Sequence, residues 1–152
     1  MKIGIDLDNT IINYQTAFHE FIKKEKEFST LNFNNKSDLK KKIINKTNGE
    51  YLWKKLQGQV YWKYIFTAKI MYGFERFLNI CKIRNHEVFI VSHKTEFGHF
   101  DKSKIPLRKV AIEFLKKIIF LIKKFLIKKK KNIFFYKKRK KKNKKNKRFK
   151  LN

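Results

Sequence analysis

A chain of 152 residues with 42% hydrophobic and 16% aromatic content can hold one ordinary domain with a real core, and it is too apolar for global disorder. No signal peptide is expected, because acids follow Lys2 within a short strand-like run, and no window reaches the roughly 18 uninterrupted apolar residues of a membrane helix. Cys81 stands alone, which excludes an internal disulfide framework and a cysteine metal site and predicts a reducing, cytoplasmic setting.

The net charge of +28 is unevenly spread: 19 of the 40 lysines and arginines follow Glu113, and none of the 12 acids does. The body of the chain is moderately basic and the tail extreme.

In chain order, Ile3, Ile5 and Leu7 alternate with Lys2, Gly4, Asp6 and Asp8, which predicts a strand carrying two acids at its carboxyl end. Tyr14, Ala17, Phe18, Phe21 and Ile22 recur at helical spacing and predict a helix over 14–28, then a polar loop over 29–35. Ser37 and Asp38 suit the cap of a short basic helix through Ile43 and Ile44, ended by Asn48-Gly49. Two aromatic-rich helical pieces are expected at 50–56 and 60–67, joined at Gln57-Gly58. A firmer amphipathic helix is expected over 70–83. Asn85-His86 then turns into 87–92, a continuous apolar run of the kind shown by a strand buried on both faces. A polar loop over 93–102 leads to Pro106, which suits the start of a helix over 109–117.

The two strands are thus separated by about 80 mostly helical residues, where a crossover needs on the order of a dozen. The surplus, residues 14–68, reads as a helical insertion over the carboxyl edge of the sheet, where it can close on a substrate. Residues 1–13 and 69–117 form the expected core, and 118–152 a Lys-rich low-complexity tail.

Asp6, Asp8 and Thr10 concentrate the chemistry. A carboxylate can attack phosphorus to give an aspartyl-phosphate, and a second one can move the proton of the leaving oxygen and of the attacking water. Magnesium favours such oxygen ligands. Thr10, Ser92 at the end of the second strand, and Lys94 two residues beyond it are phosphate-binding candidates. His93 and His99 flank the same loop. The aromatics at 51–66 read as helix core before they read as a stacking platform. There is no Gly-rich phosphate loop and no dinucleotide fingerprint among five glycines.

With these residues in place, Gly4-Ile5-Asp6-Leu7-Asp8-Asn9-Thr10-Ile11 resembles the first motif of the haloacid dehalogenase-like (HAD) hydrolases, and Val88-Phe89-Ile90-Val91-Ser92 resembles the second. The resemblance covers residues 1 to about 115. It implies an α/β, Rossmann-like, three-layer parallel sheet with a small helical C1-type cap. It implies a magnesium-dependent phosphatase of a small phosphorylated metabolite, with Asp6 as nucleophile and metal ligand. Asp8 would be general acid/base and give its backbone carbonyl to the metal, and Ser92 would bind phosphate. The run from Ser92 to Asp101 with Pro106-Leu107-Arg108 also looks like a bacterial subgroup of undefined substrate.

The chain departs from the family pattern after this point. The Lys or Arg of a third motif has only a loose candidate region at 134–142, and the acids of a fourth are absent, since Glu113 is the last acid. Weak magnesium binding and a weak or inactive enzyme are then expected. One expectation is that a truncation or reading-frame slip in an A-rich tract replaced the family's C-terminal third. The other is that the tail, with Phe134, Phe135, Tyr136 and Phe149 among its lysines, binds nucleic acid, making the chain a basic RNA- or ribosome-associated protein on a relict fold.

Overall fold

The structure, a computed structural model, describes residues 1–100, 103–121 and 133–135, with 119–121 and 133–135 described by backbone alone. Of the Lys-rich tail only 118–121, the end of a helix, and 133–135 are described; its other residues and the loop acid Asp101 lie outside the described residues. So does most of the loose third-motif region.

The architecture is mixed α/β, with five α-helices and a small parallel sheet among the described residues. Strand β1 (Lys2–Asp6) lies parallel to β4 (Glu87–Ser92), with Asp6 opposite Val91. A third short strand, β5 (Ile133–Phe135), runs parallel to β4 on its other side. Because β1 and β4 are parallel and in this register, the acids after β1 and the loop after β4 emerge at one end of the sheet.

The turn that follows β1 is tight. Asn9 takes a left-handed backbone (φ 62°), which an asparagine tolerates better than most side chains, and the amides of Ile11 and Ile12 both donate to the carbonyl of Leu7. The chain then forms a two-residue strand β2 (Ile12–Asn13), antiparallel to β3 (Lys69–Ile70). Residues 14–68 therefore leave and return at one place. They contain α1 (Gln15–Lys24), a 3₁₀ turn at Lys26–Phe28, α2 (Lys36–Ile44), α3 (Gly49–Trp62) and a second 3₁₀ turn at Ile65–Thr67. Helix α4 (Phe74–Ile83) then leads to β4, and α5 (Leu107–Leu121) follows the 93–106 loop.

Several boundaries differ from the sequence expectation. The two pieces joined at Gln57-Gly58 are one continuous helix, α3, in which Gly58 is buried. The cost of a helical glycine, about 1 kcal/mol against alanine, is accepted because a wall of loop backbone stands there: a Cβ at Gly58 would lie 3.4 Å from Gly98 Cα. Asn48-Gly49 does not end α2 but opens α3, with Asn48 left-handed (φ 57°) at its N-cap. The α2 cap is Asn35, whose Oδ1 accepts from the Asp38 amide at 3.0 Å, in place of Ser37-Asp38. The helix expected over 70–83 starts only at Phe74, because Lys69–Ile70 is drawn into the β2–β3 pair and Gly73 turns left-handed before it. Helix α1 stops at Lys24, where Glu25 becomes extended.

Strand β4 is not buried on both faces as its apolar run suggested. Ile90 and Ser92 are buried while Val88, Phe89 and Val91 are only half-buried, so one face carries the core. That core is shared. Leu7, Ile11 and Ile12 of the sheet region pack in one cluster with Phe18 and Phe21 of α1, Leu39 and Ile43 of α2, Trp53 and Leu56 of α3, and Phe114 and Leu115 of α5. Each such large side chain stabilises by about 1.5–3 kcal/mol when fully buried. The helical insertion thus has no separate core that would let it move freely of the sheet.

Candidate active-site cleft

A cleft of about 310 Å³ opens at the carboxyl end of β1 and β4, between α3 and the loop that follows β4. Asp6 and Asp8 both line it, as two residues with one intervening position on an extended chain should. Across from them stand Gln57 and Tyr61 of α3 and Lys94 of the loop.

The two carboxylates live in different surroundings. Asp6 lies at the exposed end of β1, and among the described residues no hydrogen bond or ion pair engages its carboxylate. Asp8 is held: its Oδ1 accepts from the Tyr14 hydroxyl at 2.7 Å and pairs with Lys94 Nζ at 2.8 Å. The Lys94 side chain is only 1% exposed, the Asp8 side chain 20%. Such a charge-assisted contact is short because both partners have left most of their water behind.

Lys94 is the hub. Its ammonium donates to the Tyr14 hydroxyl at 3.3 Å and sits 4.0 Å from the centre of the Tyr61 ring, well inside cation–π range. The Tyr14 and Tyr61 rings lie 4.7 Å apart. Tyr61 is fixed in turn by Gln57 Nε2, 2.9 Å from its hydroxyl, and by Lys36 Nζ at 3.1 Å. The loop is anchored from below: the Lys94 amide donates to Ser92 Oγ at 3.1 Å, Arg108 Nε donates to the Lys94 carbonyl at 3.0 Å, and the Leu107 amide donates to the Glu96 carbonyl.

Burial sets the proton affinities of this cluster. Desolvation holds the Lys94 ammonium below the usual lysine range, with the nearby Asp8 carboxylate pulling the other way. Lys36 is lowered for the same first reason, burial. Tyr14 and Tyr61 are both pushed up, first by burial and then by the negative charge of Asp8. Both phenols therefore remain protonated donors at neutral pH.

Of the five residues singled out from the sequence, three line the cleft: Asp6, Asp8 and Lys94. Ser92 is fully buried just below it, and its Oγ is used to hold the Lys94 amide. Thr10 is exposed on the turn after β1 and is not part of the cleft wall. His93 and His99 do line it. Sequence reasoning missed Tyr14, Lys36, Gln57 and Tyr61. The two tyrosines carried one weak signal, a polar tip on an apolar helical stripe, which a buried hydroxyl must satisfy somewhere.

For magnesium the donor set is thin. Among the described residues, no group of three or more His, Cys, Asp or Glu side chains gathers to hold a metal. The Asp6 carboxylate has no partner among the described residues, and magnesium does bind through one or two carboxylates when a substrate phosphate and water complete its shell. Of the Asp8 carboxylate, the Oδ1 atom is engaged by Lys94 and Tyr14.

No protein-family model, no curated protein and no solved structure matches this chain.

Proposed function

We propose that the chain is built for phosphatase-type hydrolysis of a small phosphorylated metabolite through an aspartyl-phosphate on Asp6. The observation that carries this reading is the difference between the two acids: Asp6 lines the cleft with no described hydrogen bond or ion pair on its carboxylate, and Asp8, two residues on, is held by a buried ammonium. In the first step an Asp6 oxygen attacks phosphorus and the P–O bond to the leaving alcohol breaks. The proton for the departing oxygen passes through Asp8, which draws it from the Lys94 ammonium at 2.8 Å and returns it there after the second step. In the second step water attacks the aspartyl-phosphate, Asp8 takes the water proton, and inorganic phosphate leaves. Lys94 supplies positive charge beside the transferring group, in a site where little water screens it. Magnesium, when bound, would share the Asp6 carboxylate and neutralise phosphate charge.

The resemblance of the two strand-end motifs to HAD hydrolases supports the reading, and so does the shared sheet end of β1 and β4. On this view the described strands are part of a Rossmann-like core and residues 14–68 its C1-type cap. The test is hydrolysis of a panel of phosphate monoesters, with and without magnesium, by the full chain. Asp6→Asn should lower turnover by roughly 10³-fold or more while leaving the thermal midpoint nearly unchanged, since no described hydrogen bond or ion pair holds the Asp6 carboxylate. Equal turnover by wild type and Asp6→Asn would sink the reading.

A second reading, a basic RNA- or ribosome-associated protein, is favoured by the net charge of +28 alone. Salt-sensitive RNA binding that survives Asp6→Asn and disappears on deleting 128–152 would support it.

A further inference from the structure

A buried ammonium has three N–H bonds to place and little water to place them with. At Lys94, whose side chain is 1% exposed, the first two partners are Asp8 Oδ1 at 2.8 Å and the Tyr14 hydroxyl at 3.3 Å. Among the described residues the third is the Tyr61 ring, whose centre lies 4.0 Å from Nζ. At that distance an approach along the ring edge would run into the ring's own atoms, so Nζ stands over the negative face. The Tyr14 ring, with its centre at 5.5 Å, presents its hydroxyl instead.

The fold of the insertion brings Tyr61 there. Gly58, three residues earlier on the same side of α3, lets the helix approach the loop that carries Lys94: a Cβ there would stand 3.4 Å from Gly98 Cα. Gln57 Nε2 and Lys36 Nζ then hold the Tyr61 hydroxyl at 2.9 and 3.1 Å. Lys36 lies 5.6 Å from the ring centre, further out than Lys94, as a contact made through the hydroxyl requires.

Lys94 lends a proton to Asp8 and takes it back, and a ring face attracts only the ammonium form, not the neutral amine. Burial works the other way, holding Lys94 below the usual lysine range. We propose that Tyr61 is a positioning residue for this circuit: its ring holds the Lys94 side chain against Asp8 and keeps the shared proton on Lys94 between turnovers. The insertion then completes the acid–base pair as well as walling the cleft. This inference rests on the phosphatase reading for the use made of the proton, but the contact itself is tested without turnover. The groups facing Lys94 are Asp6 and Asp8 from β1 and its turn, Tyr14 from the N-cap of α1, Tyr61 from α3, and Lys36 of α2 at the Tyr61 hydroxyl. Arg108 of α5 donates to the Lys94 carbonyl.

The experiment is NMR of the full chain with isotope-labelled lysine, the Lys94 signal being the one missing from Lys94→Met. In the wild type the Lys94 ε-methylene protons should lie upfield of the exposed lysines, shifted by the ring current of Tyr61, and show an NOE to that ring. Tyr61→Phe should keep the upfield position and Tyr61→Leu abolish it. On titration, Tyr61→Leu should lower the Lys94 midpoint by roughly one pH unit, and Tyr61→Phe should hold it at the wild-type position. Lys36→Met, which removes a like charge and leaves the ring face on Lys94, should raise it. With para-nitrophenyl phosphate as the probe, the alkaline limb of kcat against pH should follow the Lys94 midpoint, down in Tyr61→Leu and restored in Tyr61→Phe.

A wild-type Lys94 signal without the upfield shift or the NOE overturns the inference, and needs no variant, so a Tyr61→Leu chain that fails to fold does not shelter it. A midpoint that Tyr61→Leu leaves in place or raises overturns it as well. If the wild type hydrolyses no phosphate ester, the phosphatase reading falls, while an upfield Lys94 whose midpoint drops in Tyr61→Leu still upholds the hold of the ring on the ammonium. Conversely, Asp6-dependent hydrolysis whose alkaline limb ignores Tyr61→Leu upholds the phosphatase reading and removes the positioning role.

Discussion

Asp6 and Asp8 are two residues apart on one strand end, yet one side of the cleft is open and the other is locked. On the Asp6 side the carboxylate is exposed and unengaged among the described residues. On the Asp8 side a carboxylate, an ammonium and two phenol rings, drawn from the turn after β1, the N-cap of α1, helix α3 and the loop after β4, form one dehydrated cluster. The difference teaches that spacing gives two acids a common cleft but not a common role. A nucleophile needs an accessible lone pair; a proton-transfer group needs a fixed partner and little competing water.

The sharpest way to break the locked side is to remove its cation. Lys94→Met should destabilise the fold by about 2–4 kcal/mol, because it leaves a largely desolvated carboxylate with Tyr14 as its only donor. The lower end of that range allows for the solvent that still reaches Asp8. Chemical denaturation measures it, and adding Asp8→Asn to Lys94→Met should recover part of the loss. A full, additive loss in the double variant would mean that the pair is not coupled.

Next in size is the close approach of α3 to the loop. Gly58→Leu forces a side chain into the space where a Cβ alone already touches Gly98, so the loop carrying Lys94 must be pushed away from α3. The expected cost is about 1–3 kcal/mol, with the Lys94–Asp8 pairing weakened. Amide exchange of residues 93–99 should quicken; unchanged exchange would show that the two walls are independent.

Tyr61→Phe keeps the ring under Lys94 but deletes the hydroxyl that Gln57 and Lys36 contact. A loss of about 1 kcal/mol is expected. Thermal melts at several salt concentrations would detect it.

The smallest effect is a slope. Burial holds Lys94 and Lys36 below the usual lysine range, so on the approach to about pH 10 the unfolded chain binds more protons than the folded one. Stability therefore rises with pH through that window. Tyr14 and Tyr61 are held above the usual phenol range, so beyond about pH 10 the unfolded chain loses those protons first and stability falls. Melting temperature against pH should climb and turn over, and Lys94→Met should flatten the climb. An identical climb in that variant would assign it to other groups.

Much of this molecule was legible in one dimension. Alternation marked β1, the apolar run marked β4, and helical spacing marked the buried faces of α1 and α4, because those patterns repeat within a single element. The unbroken α3 was not legible, since Gln57-Gly58 looks like a joint until the loop backbone at Gly98 is seen packed against a continuous helix there. The start of α4 was misread because the β2–β3 pairing that captures Lys69–Ile70 lies more than fifty residues away in the chain.

The sequence by itself determined that two carboxylates end the first strand and that a serine ends a later one. It also determined that no disulfide is available to a chain with one cysteine. Only the tertiary structure decided that Asp8 is held while Asp6 has no partner among the described residues. Lys94 reaches Asp8 and Tyr14 across some eighty residues of chain, and Tyr61 closes over it from a different helix. No local pattern encodes such a meeting, because it depends on parallel register, helix placement and the exclusion of water together. Those same factors give two otherwise identical side chains different surroundings.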